Sequence, residues 1–220
     1  MEPATERIRP IIRLLRRRYP HPRTALEFAN PLEILVATIL AAQSTDKLVN
    51  TVTPALFGKY PTAEDFAKAD RSEIETMIHS TGFFRNKAKS LIGAATRIVE
   101  AYGGRVPDTM GELVTLPGVA RKTANIVLSS GFGKAEGIAV DTHARRVSQR
   151  LGLTKQDDPV KIERDLMALV PRRDWLDLNY LLVEHGRALC QARKPKCPAC
   201  FLKPLCPSAV KLAPELKTRP

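Results

Sequence analysis

Cysteine is absent from the first 189 of the 220 residues, and all four cysteines fall between Cys190 and Cys206. A disulfide framework would scatter them along the chain, so their crowding points to one local metal site in a reducing compartment. Aromatic residues make up only 5% of the chain, too few for an extended platform of stacked bases. No apolar run reaches the roughly eighteen residues that a membrane-crossing helix needs. The first eighteen residues are charged throughout and lack the apolar core of a secretory signal, so an intracellular location is expected. Sustained period-two alternation, internal repeats and low-complexity segments are also missing, which leaves an all-α chain with short loops. What the chain has in excess is positive charge. Lys and Arg number 35 against 23 Asp and Glu, for a net charge of +12 and a pI near 9.8. Such an excess favours an anionic polymer or surface as partner. The length allows one large domain or two small ones, with ample apolar content for a core.

The run from Leu116 to Leu128, LPGVARKTANIVL, reads as a glycine hairpin between two short helices. Thr109 is a good N-cap for the first, over Met110 to Leu116. Pro117 and Gly118 break it, because proline disfavours helical geometry in the residue before it and glycine tolerates positive φ. Ala120, Ala124, Val127 and Leu128 recur at helical spacing and start the second helix. A helix start offers unpaired amides and a positive dipole end, and small residues at 118 and 120 let a phosphate approach them. Lys122 follows within the first turn. The bland alternative is an ordinary helical hairpin with a solvated lysine.

Elsewhere, residues 4–19 read as a basic amphipathic helix. Ile8, Ile11, Ile12 and Leu15 form its stripe, and Arg13, Arg16, Arg17 and Arg18 crowd its end as a surface cation cluster. Asn30 and Pro31 read as N-cap and first helical residue of an almost wholly apolar, buried helix that ends at Gln43. The amide of Gln43 can hydrogen-bond base edges and so fill a gap in a duplex. Asp46 is expected to cap the next helix, over residues 46–59, which Pro54 should kink or split. Helices over 63–69 and 71–79 follow Thr62 and Asp70. Phe83 and Phe84 are adjacent aromatics in a turn. Helix neighbours do not share a face, so either both pack in the core or one stands out as an apolar wedge for a base stack. A helix over 86–102 ends at Gly103 and Gly104. Gly131 and Gly133 close the second hairpin helix. Asp141 to His143 open a helix through Arg150, Asp158 and Pro159 one to Leu169, and Asp174 a long one reaching Cys190. His143 reads as structural, since no second histidine lies near it.

The cysteines are spaced Cys190-x6-Cys197-x2-Cys200-x5-Cys206. Four thiolates suit tetrahedral zinc or a [4Fe–4S] cluster. Zinc ribbons usually show two close pairs, whereas only one pair is close here, and the compact wrap favours the cluster. Arg193, Lys194 and Lys196 lie in the loop between the first two cysteines, ready either for phosphate contact or simply for solvent.

With LPGVARKTAN, VDTHARRV and the cysteine tail in this order and separation, the chain resembles the endonuclease III family of helix–hairpin–helix DNA glycosylases over nearly its whole length. The resemblance implies two all-helical domains. One is a six-helix barrel over residues 24–134 that holds the hairpin. The other is an iron–sulfur cluster domain made of residues 1–23 and 135–220, with Cys190, Cys197, Cys200 and Cys206 on a [4Fe–4S] cofactor. It implies double-stranded damaged DNA as partner, bent across a groove between the domains with a damaged pyrimidine flipped out of the stack. No membrane is involved, and a monomer in the cytoplasm, associated with the nucleoid, is expected. Lys122 matches the family's nucleophile and Asp141 its catalytic carboxylate. A lysine amine displaces the base at C1′ and forms a Schiff base, after which β-elimination cuts the strand 3′ to the lesion. A lysine amine is almost wholly protonated at pH 7, so burial at a positive helix end or proton removal by Asp141 is expected. Gln43 matches the residue that fills the void opposite the flipped base. Phe83 stands where the family usually carries an intercalating leucine. Ala120 replaces the second glycine of the usual hairpin, and is expected in the first turn of the helix. DNA contacts are therefore expected at Gln43, Phe83, Gly118, Ala120, Arg193, Lys194 and Lys196. An adenine glycosylase of the same superfamily is the alternative, although it usually has serine at the position of Lys122 and an extra domain beyond the cysteines. A non-catalytic DNA-binding module is a third reading, which Lys122 and Asp141 oppose.

Overall fold

Seven of the helix starts among the described residues are set by short polar side chains. The computed structural model describes residues 2–212. In chain order its helices are α1 (Ala4–Arg18), α2 (Pro31–Leu40), α3 (Asp46–Lys59), α4 (Ala63–Lys68), α5 (Arg71–Met77), α6 (Phe84–Tyr102), α7 (Met110–Leu113), α8 (Arg121–Ile126), α9 (Thr142–Arg150), α10 (Pro159–Leu169), α11 (Trp175–Ala188) and α12 (Ala209–Leu212). Short 3₁₀ turns and one π-turn, Val127–Gly131 after α8, complete the set, and no strand occurs among the described residues. Asn30 accepts from the amide of Glu33 at 3.0 Å, while Glu33 accepts in return from the amide of Ala29. Thr62 and Asp65 form a reciprocal capping box. Asp70, Thr109 and Asp158 cap α5, α7 and α10 in the same way.

Two expectations about helix boundaries are corrected. Thr45, not Asp46, caps α3: its hydroxyl accepts from Leu48, and Asp46 is already helical. Pro54 does not split α3, which runs unbroken because Val49, Thr53 and Leu56 are buried along it and outweigh one missing amide. Asp174 opens α11 as its pattern predicts, though without a side-chain cap, since its carboxylate accepts from Arg16 at 2.6 Å.

The chain divides into two compact units. One runs from Thr24 to Glu136. The apolar α2 is its centre, with residues Ile34 through Leu40 all buried. Around it pack α3, α6 and α8, and α4 and α5 lie along α6. The other unit joins the segment through Arg23 to the chain from Gly137 onward. There α1 packs on α10 and α11, and α9 packs on α11. Its core brings Ile8, Ile11, Ile12 and Leu15 together with Val147, Leu166, Leu178, Leu181 and Leu182. Arg16 forms a fork with Asp177 and a further bond to Asp174, so this member of the basic cluster is an intramolecular ion pair. Among the described residues no helix is long and apolar enough to cross a membrane.

Candidate functional site

The hairpin is built from a glycine that nothing can replace. Gly118 has φ +78, and a Cβ there would lie 2.6 Å from Cβ of Ser90 on α6. Left-handed geometry and lack of space thus make the same demand. The first helix is shorter than its pattern suggests: α7 ends at Leu113, and turns bonded from Thr115 to Glu112 and from Leu116 to Leu113 continue to the hairpin. Val119 donates back to Leu116 at 3.1 Å and closes the turn. Ala120 is not in the first helical turn. It is the N-cap, extended at φ −94 and ψ 170, where alanine carries no left-handed cost. Its side chain has no oxygen to bond the first amides of α8, and no side-chain cap is made. Lys122 is exposed, so the burial expected for its amine is not provided by the protein alone.

Asp141 is the N-cap of α9, with Oδ1 accepting from the amide of Ala144 at 2.7 Å. Among the described residues no hydrogen bond engages its Oδ2. His143 bonds through Nδ1 to the guanidinium of Arg146 at 3.1 Å. Burial and the neighbouring Arg146 and Arg187 push its pKa down, against an opposing pull from Asp141. That makes it a packed structural histidine.

Gln43 and Phe83 share a backbone feature. They are the two non-glycine residues with positive φ among the described residues, at 54 and 48. Non-glycine residues rarely adopt this geometry, and it costs about 1–2 kcal/mol each. Gln43 is exposed in the turn after α2. Phe83 is 62% exposed, while Phe84 packs against the core and its ring centroid lies 4.5 Å from that of His79. The adjacent aromatics therefore divide, one inward and one outward.

A residue with no role in the sequence reading sits between them. Lys87 is 5% exposed, and its Nζ donates to the carbonyls of Leu40 at 2.7 Å and Thr81 at 2.8 Å. Burial pulls its pKa below the ordinary lysine value. The signal was present in the register: Lys87, Leu91, Ala94 and Ile98 occupy one buried face of α6, so a lysine stands at a core position.

The four cysteines line one cavity together with Arg150, His185 and Lys203. Among the described residues, no three Cys, His, Asp or Glu side chains are gathered tightly enough to grip a single metal ion. Three sulfurs meet protein partners: Cys206 donates to the carbonyl of Arg150 at 3.3 Å, Cys200 lies 3.6 Å from Nε2 of His185, and Cys190 accepts from Arg150 at 3.5 Å. Burial raises the thiol pKa of Cys197, Cys200 and Cys206. Arg150 donates to the carbonyls of Gln191 and Ala192 at 2.7 and 2.8 Å, and Arg146 to that of Cys190 at 3.0 Å. These two arginines, also without a role in the sequence reading, hold the loop on which Arg193, Lys194 and Lys196 stand exposed.

A family profile described as the HhH-GPD superfamily of base excision DNA repair proteins matches residues 36–172. The endonuclease III of Synechocystis sp. is 56% identical over 204 residues, covering 93% of each chain. Among solved structures, a non-covalent endonuclease III–DNA complex aligns with TM-score 0.89 at 40% identity, covering 96% of this chain and 98% of that one. A trapped endonuclease III–DNA covalent intermediate, an estranged-adenine complex, aligns with TM-score 0.90 at 40% identity, covering 96% and 99%.

Proposed function

This chain belongs to the HhH-GPD superfamily of base excision DNA repair proteins, and from that premise we propose how its residues act. It is a base excision DNA glycosylase and AP lyase. Its substrate in our reading is an oxidised pyrimidine in duplex DNA, attacked by one chain acting as a monomer on the cell's own DNA. The observation that carries the reading is the hairpin: an exposed Lys122 stands two residues beyond an N-cap that leaves the first amides of α8 without a side-chain oxygen.

In this reading the backbone of Gly118 and Ala120 receives a strand phosphate, which suits the positive end of a helix. Gly118 lets the hairpin take that shape, because its left-handed φ and its closeness to Ser90 leave no room for a Cβ. The Lys122 amine attacks C1′ of the extruded nucleotide, the C1′–N bond breaks and the base departs with the bonding pair. The sugar ring opens to a Schiff base on Lys122. Loss of a C2′ proton then expels the 3′ phosphate by β-elimination. Because Lys122 is exposed here, bound DNA supplies the desolvation of its amine, whose extra proton must leave before attack. Asp141 presents Oδ2 to take that proton and to face the positive charge on the sugar, while Oδ1 stays on α9 and fixes the orientation. Gln43 fills the space vacated by the flipped nucleotide and Phe83 wedges the stack. Arg193, Lys194 and Lys196 meet phosphates.

Cys190, Cys197, Cys200 and Cys206 would hold the [4Fe–4S] cluster. Four thiols around one cavity fit such a group better than one ion, and lining cations Arg150 and Lys203 suit its negative charge. When bound, it would fold the loop that carries the three cations. Iron and sulfide assays should return about four of each per chain, the content of one cubane; a colourless protein with one zinc overturns this assignment.

The experiment for the enzyme is borohydride trapping on a duplex containing thymine glycol. The intact protein should give a covalent adduct, and Lys122→Ala should lose it by on the order of 10³-fold or more, as for removal of a nucleophile. An adduct that survives in Lys122→Ala overturns the assignment of the nucleophile.

A further inference from the structure

We propose that Lys87 is a positioning residue that locks the loops bearing Gln43 and Phe83 to each other, so that the two side chains enter the duplex together. The proposal rests on the roles assigned above to Gln43 and Phe83.

Each loop leaves a helical segment at a carbonyl that has no partner within its own helix. Leu40 is the last residue of α2, three before Gln43. Thr81 is the last residue of a 3₁₀ turn, two before Phe83. One buried ammonium donates to both carbonyls. The main chain adds a third tie, since the amide of Lys87 donates to the carbonyl of Phe83 at 3.1 Å. Leu40 is 47 residues away from Lys87 and Thr81 only 6, so the side chain joins a distant loop to a local one. Both loops then turn through a strained residue, and Gly82 at φ 70 precedes Phe83. Left-handed geometry at glutamine and phenylalanine persists only where the surroundings impose it. An ammonium at the negative end of α2 is well placed to do so. Apolar packing at this position would not direct the carbonyls, whereas three donors on one nitrogen do.

Two observables separate positioning from simple stability. The first is fluorescence of 2-aminopurine placed opposite an abasic-site analogue in a duplex, which rises when that base is unstacked. The second is borohydride trapping on single-stranded abasic DNA, which requires no duplex opening. Lys87→Met should reduce both the fluorescence rise and the single-turnover duplex rate by about tenfold, while single-strand trapping stays within about twofold. Lys87→Gln, which keeps amide donors, should fall between Met and the native lysine, and it carries the test if Lys87→Met does not fold. In a Gln43→Ala/Phe83→Ala background the Lys87 substitution should cost less than about twofold more, because it acts through those residues.

Parallel loss of duplex and single-strand activity, following the fall in Tm, overturns the proposal in favour of a merely structural lysine. Additive losses in the cycle overturn it while leaving Gln43 and Phe83 in place. A Gln43→Ala/Phe83→Ala protein that opens and cleaves the duplex normally removes the assignment of those residues, and this proposal with it.

Discussion

The two units tie down their polar groups over different distances. From Thr24 to Glu136, capping bonds join residues three apart, as in Asn30 with Glu33 and Thr62 with Asp65. Its bonds between segments reach further, as in Tyr60 with Glu73 over 13 residues, Asn50 with Ala25 over 25 and Met110 with Glu136 over 26. In the other unit arginines cross the chain to main-chain carbonyls: Arg7 to Leu205 over 198 residues, Arg146 to Cys190 over 44 and Arg150 to Ala192 over 42. The reason lies in what is being held. A helix with an apolar face is oriented by burial and needs polar help only at its ends. The segment from Cys190 to Cys206 has 3₁₀ turns and proline but no long helix, so cations on its carbonyls hold it at both ends, and a bound cluster would hold it between. Lys87, like Lys134 on the carbonyl of Asp108, brings the second unit's device into the first, here at the two loops whose geometry packing does not dictate.

This contrast can be broken at its strongest point with Arg150→Met. The substitution removes charged donors from two carbonyls, and about 3 kcal/mol of stability should be lost. The reading is chemical denaturation alongside iron content, and both should fall. A protein that keeps its stability and its iron would show that the cysteine loop holds its own shape.

A smaller effect is expected at Tyr60. Burial, reinforced by the neighbouring Glu73, pushes its phenol up to about 12. A folded pKa above the unfolded value near 10 means that the contribution is complete below pH 10 and disappears as pH rises from 10 to 12. Its size is about 2 kcal/mol. Denaturation midpoints measured across pH 9–12 for the native protein and Tyr60→Phe should show a steeper alkaline fall in the native protein. Equal slopes would mean the phenol contributes nothing through its proton.

Smallest is the local cap. Asn30→Ala should cost about 1 kcal/mol, read as a lower urea midpoint with an unchanged slope. A loss as large as that at Arg150 would erase the distinction between short-range and long-range bonding.

Sequence patterns made the helices legible because caps and apolar stripes are local signals. Asn30, Asp70, Thr109, Asp141 and Asp158 stand where a reader of the chain would put them. Failures occurred where two local candidates competed or where a distant residue intervened. Thr45 displaced Asp46 as a cap by one position. Asp174 starts α11 where its pattern put it, but its carboxylate is held by Arg16, 158 residues away, and no local pattern encodes that partner. The pair Phe83 and Phe84 left open whether both rings pack or one stands out, and only the family resemblance pointed to Phe83 as the outward one. The exposed state of Lys122 was also unreadable, since spacing places a residue on a helix and says nothing of what covers it. Lys87 was visible as a charged residue in an apolar register, yet its partners lie at helix ends that only the folded chain brings within reach.

The order of residues alone determined the helical class, the hairpin glycine, the family and the crowding of the four cysteines, because each depends on neighbours within a few turns of chain. Folding in three dimensions decided which carbonyls the buried cations hold, which aromatic ring faces water and which sulfurs share a cavity. Those outcomes depend on contacts between segments tens to hundreds of residues apart, and the energy of such a contact exists only once burial has removed the competing water.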